Sequence, residues 1–397
     1  MKQQGTLAII VFSQFCCTSL WFAGNAIMPA LTEAFELPAS ALGHMTSAVQ
    51  FGFILGTLSF AVLAIADRFS PSKVFFVCSV LGSAVNLASS IDENQFFSLI
   101  TIRFVTGFFL AGIYPVGMKI AADHFQKGLG PSLGFLVGAL VLGTAFPHSL
   151  AAFSLDLSWQ VIIVSTSALS LIGGLLVLFL IPDGSYRQPS EKVKINAIFN
   201  IFKVPSFRSA ATGYFGHMWE LYTFWAFVPF LLMLFQETHI EAQFNISLLS
   251  FITIAVGAPA CVAAGFLSRR FGTKPVAASA LLISGICCVL SPFLILQDST
   301  FLFLTFILIW GMVVIADSPL FSTLVAQHAP SKQKGSALTI VNSLGFALTI
   351  VSIQLTTYLI DNWNPYYVFA ILAIGPLFGL VGLWTRNNKT ISASSFG

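Results

Sequence analysis

A few ionisable side chains lie inside long apolar stretches, where chemistry or structure must account for them. Glu220 sits near the middle of Gly213-Tyr-Phe-Gly-His217-Met-Trp219-Glu220-Leu-Tyr222, three residues after His217. At that helical spacing the two side chains are neighbours. Burial disfavours the charged form of both a carboxyl and an imidazole, so either could load and release a proton. The alternative for Glu220 is a locked structural pair with a polar neighbour on another helix. Asp317 directly precedes Ser318-Pro319. It is a second candidate proton or cation site, or else a partner for backbone freed by the proline. Arg103 keeps its charge and offers five donors. It can bind an anionic substrate group or tune a nearby carboxyl, or it can bond backbone carbonyls of the first helix. His148, beside Pro147, can bind substrate or pair with an acid, or serve as a satisfied structural histidine.

These residues demand explanation because of their surroundings. The 397-residue chain is 56% hydrophobic and only 8% charged, against about 25% charged in an average soluble domain. Such a surface points to lipid as the solvent. Breaks at charges, prolines and polar clusters divide the chain into twelve candidate spans, near 6–31, 42–66, 73–91, 96–118, 129–152, 159–182, 207–236, 244–267, 275–296, 300–325, 335–360 and 365–385. The first run exceeds the roughly 7–15 residues of a signal-peptide core, so it reads as a retained helix. The polar, basic connector 183–206 separates a six-helix unit, 1–182, from a second, 207–397.

Charge sorting supports that count. With the N-terminus placed in the cytoplasm, every Lys and Arg falls on the inner side except Arg103, which lies within a span. Glu33, Glu36, Asp92, Glu93, Asp156, Glu237, Glu241, Asp298 and Asp361 fall outside. The positive-inside rule therefore predicts both termini in the cytoplasm.

The two units also repeat. Gly107, Pro115 and His124 recur as Gly311, Pro319 and His328, each pair 204 positions apart. Pro29 in the first span and Pro229 in the seventh form a further match. Two parallel halves related by an axis along the membrane normal are expected.

Neutral polar residues near mid-span, Asn25, Gln50, Asn342 and Gln354, can line a cavity or join helices. Trp21, Tyr114, Trp219, Tyr222, Trp225 and Trp310 can supply aromatic walls. Gly52 with Gly56, and Gly134 with Gly138, are spaced for close helix approach and read as sliding contacts. The six cysteines, Cys16, Cys17, Cys78, Cys261, Cys287 and Cys288, lie in apolar stretches without metal-ligand spacing and read as packing residues. The sequence contains no phosphate-binding loop, dinucleotide fingerprint or zinc-protease motif, so neither cofactor nor metal is expected.

In its motifs the chain resembles the major facilitator superfamily. That family's 2–3 loop signature, Gly-x-x-x-Asp-Arg-x-Gly-Arg-Lys, is met by Asp67, Arg68 and Lys73, with Leu63 and Ser70 in place of glycines; the later copy keeps Gly265, Arg270, Gly272 and Lys274. Arg103, Gly107 and Ala111 match a fourth-span signature, and Gly134, Gly138 and Gly143 part of an antiporter signature, with Ala139 and Leu142 departing from it. The resemblance implies two bundles around a central cavity that opens alternately to each side, and it links the position of Arg103 to proton coupling. It also implies an inner gate, in which Asp67 faces the inner start of the eleventh span and Arg68 pairs with Asp123. Lys73 and Arg270 belong to the same gating signatures.

The expected fold is an all-α membrane protein of twelve transmembrane helices in two six-helix bundles. The expected function is secondary active, proton-coupled transport of a small solute across the cytoplasmic membrane. Glu220, His217, Asp317 and Arg103 are the candidate coupling residues. Asn25, Gln50, Arg103, Tyr114, His148, Trp219, Tyr222, Asn342 and Gln354 are the candidate substrate contacts. An uncoupled facilitator or a transporter-derived receptor keeps the same fold and remains the alternative. A membrane-embedded enzyme would need a nucleophile–base or metal cluster, and the sequence offers none. The expected partners are a small solute, protons and lipid, with no nucleic acid and a monomeric chain.

Overall fold

The structure is a computed structural model that describes residues 3–125, 129–153, 157–187, 201–330 and 334–384. Lys2, Lys127, Lys192, Lys194, Lys332, Arg386, Lys389, Asp156 and most of the 183–206 connector lie outside the described residues.

Among the described residues, twelve helical segments follow one another. The first half comprises α1 (Gln3–Thr18, continued by Ala23–Ala26 and Met28–Phe35), α2 (Ala41–Val62), α3 (Pro71–Leu87), α4 (Phe96–Leu110 then Tyr114–His124), α5 (Leu129–Phe153) and α6 (Gln160–Leu180). The second half comprises α7 (Pro205–Thr238), α8 (Ile246–Ala255 then Gly257–Phe271), α9 (Thr273–Leu296), α10 (Thr300–Ala316 then Ser318–His328), α11 (Lys334–Asn362) and α12 (Pro365–Val368, Phe369–Ala373 and Ile374–Trp384). By length and composition, eleven of the segments are apolar enough to cross a membrane. The apolar part of α1, Gly5–Thr18, is shorter because the helix breaks after it. Large side chains such as Phe97, Phe153, Phe179 and Phe301 are exposed on the outer wall. In water they would be a liability; in hydrocarbon they are the natural surface.

In the first half α1 packs on α5 and α6, α2 on α4, and α3 on α4 and α6. In the second half α7 packs on α10, α11 and α12, α8 on α10, and α9 on α10 and α12. The halves meet chiefly through α2 with α11 and α5 with α8.

The repeat read from the sequence appears as repeated geometry. Gly107 of α4 lies against the Val49 carbonyl of α2, and Gly311 of α10 lies against the Thr253 carbonyl of α8. A side chain at either glycine would collide with backbone, so both permit their helices to close together. His124 Nδ1 lies 2.8 Å from the Ile120 carbonyl, and His328 Nδ1 lies 2.8 Å from the Leu324 carbonyl. Of the expected sliding glycines, Gly52 and Gly56 abut the α4 backbone at Phe104 and Phe108. A side chain added at Gly134 would meet nothing within 4 Å, and one at Gly138 would meet Ala258 of α8 at ordinary contact distance. Neither glycine is pressed against a neighbouring backbone. The close approach on α5 is at Gly143, against Thr18 and Phe15 of α1.

Helix breaks fall where the sequence forces them. Proline has no N–H and crowds the carbonyl four residues back. Pro319 thus frees the Ile315 carbonyl, which accepts instead from Cys261 Sγ of α8 at 3.4 Å. In α1 the chain turns between Thr18 and Ala23, leaving the carbonyls of Leu20 and Trp21 to be satisfied from outside the helix. In hydrocarbon such groups must find a protein partner.

Candidate functional site

The partner for the α1 break is Arg103. Its Nη1 donates to Leu20 O at 3.1 Å and to Asn86 Oδ1 of α3 at 3.3 Å, and its Nη2 donates to Trp21 O. Asn86 Nδ2 in turn donates to Ser167 Oγ of α6 at 3.0 Å. The guanidinium is buried and joins α1, α3 and α4. This is the backbone-bonding arrangement rather than one that offers the charge to a solute.

Glu220 joins the corresponding helices of the second half, from α7 rather than from α10. Its Oε1 accepts from Ser284 Oγ of α9 at 2.5 Å, from Cys288 Sγ at 3.2 Å and from Trp310 Nε1 of α10 at 2.6 Å. It joins α7, α9 and α10, the repeat counterparts of α1, α3 and α4. Three donors on one oxygen favour retention of the acceptor rather than exchange with a solute. Sequence spacing alone places Glu220 beside His217. In the fold they turn to different partners, because three residues leave a 60° difference in direction around the helix. Gly213, Gly216 and Glu220 face α9, α10 and α12, whereas Tyr222 and Trp225 face α1.

His217 meets Asp317 instead. Nδ1 lies 2.7 Å from Oδ1, and both side chains are about 1% exposed. His217 Nε2 and Asp317 Oδ2 are buried without a protein hydrogen-bond partner. Asp317 stands at the break in α10, but its side chain caps nothing: the backbone freed by Pro319 is taken by Cys261. The acid is therefore not explained by the helix break. Tyr214 lies beside His217, with ring centroids 6.0 Å apart, and Tyr114 is half-buried on α4.

Further along the seam lies an aromatic cluster. Trp21 lies 5.7 Å from Tyr222 and 5.9 Å from Phe346, with interplanar angles of 24° and 25°. Phe53 lies 4.8 Å from Trp21 and 4.6 Å from Phe346, and Trp225 lies 5.4 Å from Tyr222. Gln50 is wholly buried one turn from Phe53, and neither of its amide atoms has a partner.

The other polar candidates separate by place. Gln354 Nε2 of α11 donates to Gly43 O at 3.1 Å and to Ser47 Oγ at 2.8 Å on α2, tying the halves together. Asn25 donates to Thr46 Oγ1 at 2.8 Å within the first half. Trp219 packs against Gly375 of α12, away from the seam. Asn342 is half-buried on α11. His148 is buried with Nε2 unpartnered, on the α5 face shared with Val141 and Ala152, which meets α8.

On the face where the basic loops gather, Asp67 pairs with Lys119 of α4 at 3.0 Å, and Lys119 also lies 3.7 Å from Asp123. Arg187 Nη2 donates to the carbonyls of Asp67 and Phe69 at 2.9 and 2.7 Å. The expected Arg68–Asp123 pair is not formed: Arg68 is exposed, and Lys119, one turn from Asp123 on α4, takes its place. Lys73 and Arg270 are exposed, Arg270 lying 5.3 Å over the Phe271 ring. Lys119, Arg187 and Tyr214 were not singled out from sequence. Lys119 carried a signal, an i, i+4 spacing to Asp123; Arg187 and Tyr214 carried none. Among the described residues no group of three or more His, Cys, Asp or Glu could hold a metal ion.

An all-helical chain with two sets of packed spans, broken helices in each and buried charges at matched junctions has the architecture of a multi-pass membrane transporter. Residues 10–353 match the model of the Major Facilitator Superfamily, and the chain belongs to that family. Among its relatives is the 4-hydroxybenzoate transporter PcaK of Pseudomonas aeruginosa, 25% identical over 42% of this chain and 38% of that protein. An uncharacterized transporter of Buchnera aphidicola is 21% identical over 80% of this chain and 75% of its own length. The fold is similar to that of the nucleoside transporter NupG (TM-score 0.72, 15% identity, covering 97% of this chain and 98% of that one). It is also similar to a bacterial homologue of the human lysosomal transporter Spinster, in an inward-facing and unoccupied conformation (TM-score 0.66, 15% identity, covering 96% and 94%).

Proposed function

We propose that this protein is a proton-coupled secondary transporter that moves a small solute across the cytoplasmic membrane by alternating access. The two rocking units are 1–182 and 207–397, joined by the 183–206 connector, with both termini in the cytoplasm. Its work is translocation and not conversion of the solute, and a single chain in lipid suffices.

The observation that carries the reading is the His217–Asp317 pair. It is buried at the break in α10, it plays no part in capping that break, and each partner keeps one polar atom without a bond. A buried acid–imidazole pair titrates as a unit, and its net charge changes by one when a proton enters or leaves. The pair joins α7 to the break in α10, so a change in its charge acts on both helices. Glu220 and Arg103 act as junctions that keep each half rigid while the halves move. The seam supports this division. Gln354 closes it on the side of the Gly43 end of α2, and Asn245 Nδ2 reaches Ala152 O there at 3.5 Å. On the opposite, basic face Lys119 pairs with Asp67, and Arg187 of the connector donates to the Asp67 carbonyl.

The test compares solutes in cells and medium for cells making the protein and cells lacking it, at two external pH values either side of neutrality. A solute redistributed by the protein in a pH-dependent way supports the reading, and the direction of redistribution distinguishes import from export. Redistribution that ignores pH points to an uncoupled facilitator; no redistribution at either pH removes the transport reading.

A further inference from the structure

Gln50 is the least explained polar side chain in the seam. Its amide is wholly buried, yet Nε2 and Oε1 both lack a partner, a state that is costly to leave unmet. Its neighbours on α2 show which way it faces. One turn before it, Ser47 accepts from Gln354 of α11; one turn after it, Phe53 lies on Phe346 of α11. Side chains at i−3, i and i+3 lie on one side of a helix, so Gln50 opens onto the seam between the halves.

Two of the ring pairs in the neighbouring cluster are stacked, whereas Phe53 is tilted by 47° to Trp21 and by 55° to Phe346. Trp21 faces Tyr222 and Phe346 at small interplanar angles, and the indole N–H groups of Trp21 and Trp225 and the Ser343 hydroxyl are buried and unpartnered. Flat, offset rings receive another flat ring well. Neither buried cation presents a free hydrogen-bonding face to Gln50. Arg103 lies behind the α1 backbone, bound to Leu20 O, Trp21 O and Asn86 with its Nε against Gly24, and His217 faces Asp317. A carboxylate brought here would leave water without gaining a hydrogen-bonded cation, which disfavours it. A primary amide instead presents one donor and one acceptor, the complement of another amide edge.

From these contacts we propose that the solute is an uncharged planar ring with an amide-type edge, a lactam or a ring carboxamide. It lies among Trp21, Tyr222 and Phe346 with Gln50 reading its edge, an assignment that rests on the transport reading above. The rings touch one another in this structure, so the solute enters as Trp21 parts from Tyr222 and Phe346. The solute class differs from the anionic substrate in the name of the 4-hydroxybenzoate transporters, whose similarity covers less than half of the chain.

The test is isothermal titration of the purified full-length protein in detergent with uracil, nicotinamide, 4-hydroxybenzoate and acetamide. At least one of uracil and nicotinamide should bind saturably and more tightly than 4-hydroxybenzoate and acetamide. Gln50→Met, which keeps the shape and removes both hydrogen-bonding groups, should weaken that binding by about tenfold or more. Gln50→Asn, which keeps the amide but withdraws it, serves the same purpose if Gln50→Met does not fold. Equal or tighter binding of 4-hydroxybenzoate or acetamide, no binding of either ring amide, or unchanged affinity in the variant would overturn the proposal. Each of those outcomes leaves transport standing if the cell comparison shows a redistributed solute, so the two readings fail separately.

Discussion

Glu220 and Asp317 are both buried acids, and their surroundings give them different work. Glu220 has Ser284, Cys288 and Trp310 on a single oxygen. Glu220→Gln keeps an oxygen to accept those bonds, so transport should persist with a small fall in thermal stability. Glu220→Leu leaves three buried donors without an acceptor and should destabilise by about 3 kcal/mol or more, read as a lower melting midpoint in detergent. Normal stability in Glu220→Leu, or loss of transport in well-folded Glu220→Gln, would contradict the junction role. That these positions matter is legible in the sequence, since a charge in an apolar run is conspicuous. Which partner each one takes is not legible. His217 and Glu220 are three residues apart, yet the packing of α7 sends one to α10's Asp317 and the other to α9 and Trp310.

At the scale of the helices, close approach and strain make sharper predictions than hydrophobicity does. Gly52 sits against the Phe104 carbonyl, whereas Gly134 has open space around it. Gly52→Ala should force α2 from α4 and cost about 1–3 kcal/mol, while Gly134→Ala should be close to neutral; a melting comparison of the two variants checks the contrast. Ala64, which follows α2, adopts a left-handed conformation with φ 51° and ψ 41°. An L side chain is disfavoured there, so Ala64→Gly should raise stability by up to about 1 kcal/mol, and a lowered midpoint would count against the strained turn. The 204-residue repeat pairs Pro115 with Pro319, and both α4 and α10 break beside these prolines, together with the paired Gly107 and Gly311 contacts. Spacing misled at Gly134 and Gly138, because small residues permit an approach without supplying the neighbour.

Across the whole molecule, two sets of six spans meet through α2 with α11 and α5 with α8. Gln354 bonds Gly43 and Ser47 across that seam. If the halves must part there, a Ser47→Cys, Gln354→Cys pair should lose transport when oxidised and regain it with reductant; full activity in the oxidised pair would show that the seam does not open. The number of spans follows from charge and hydropathy alone, because membrane insertion reads the same signals. The closure of the seam could not be read that way. It depends on distant pairs such as Gln354 with Ser47 and Trp21 with Phe346, and no local pattern encodes them. A proton on the His217–Asp317 pair is proposed to drive the cycle. The measurement is the pH dependence of solute redistribution in cells making the wild type, Asp317→Asn or Glu220→Gln at equal membrane levels. A pH-dependent redistribution is expected in the wild type and in Glu220→Gln, and its loss or its independence of pH in Asp317→Asn. A pH dependence that survives Asp317→Asn and vanishes in Glu220→Gln would contradict it and return the proton to Glu220.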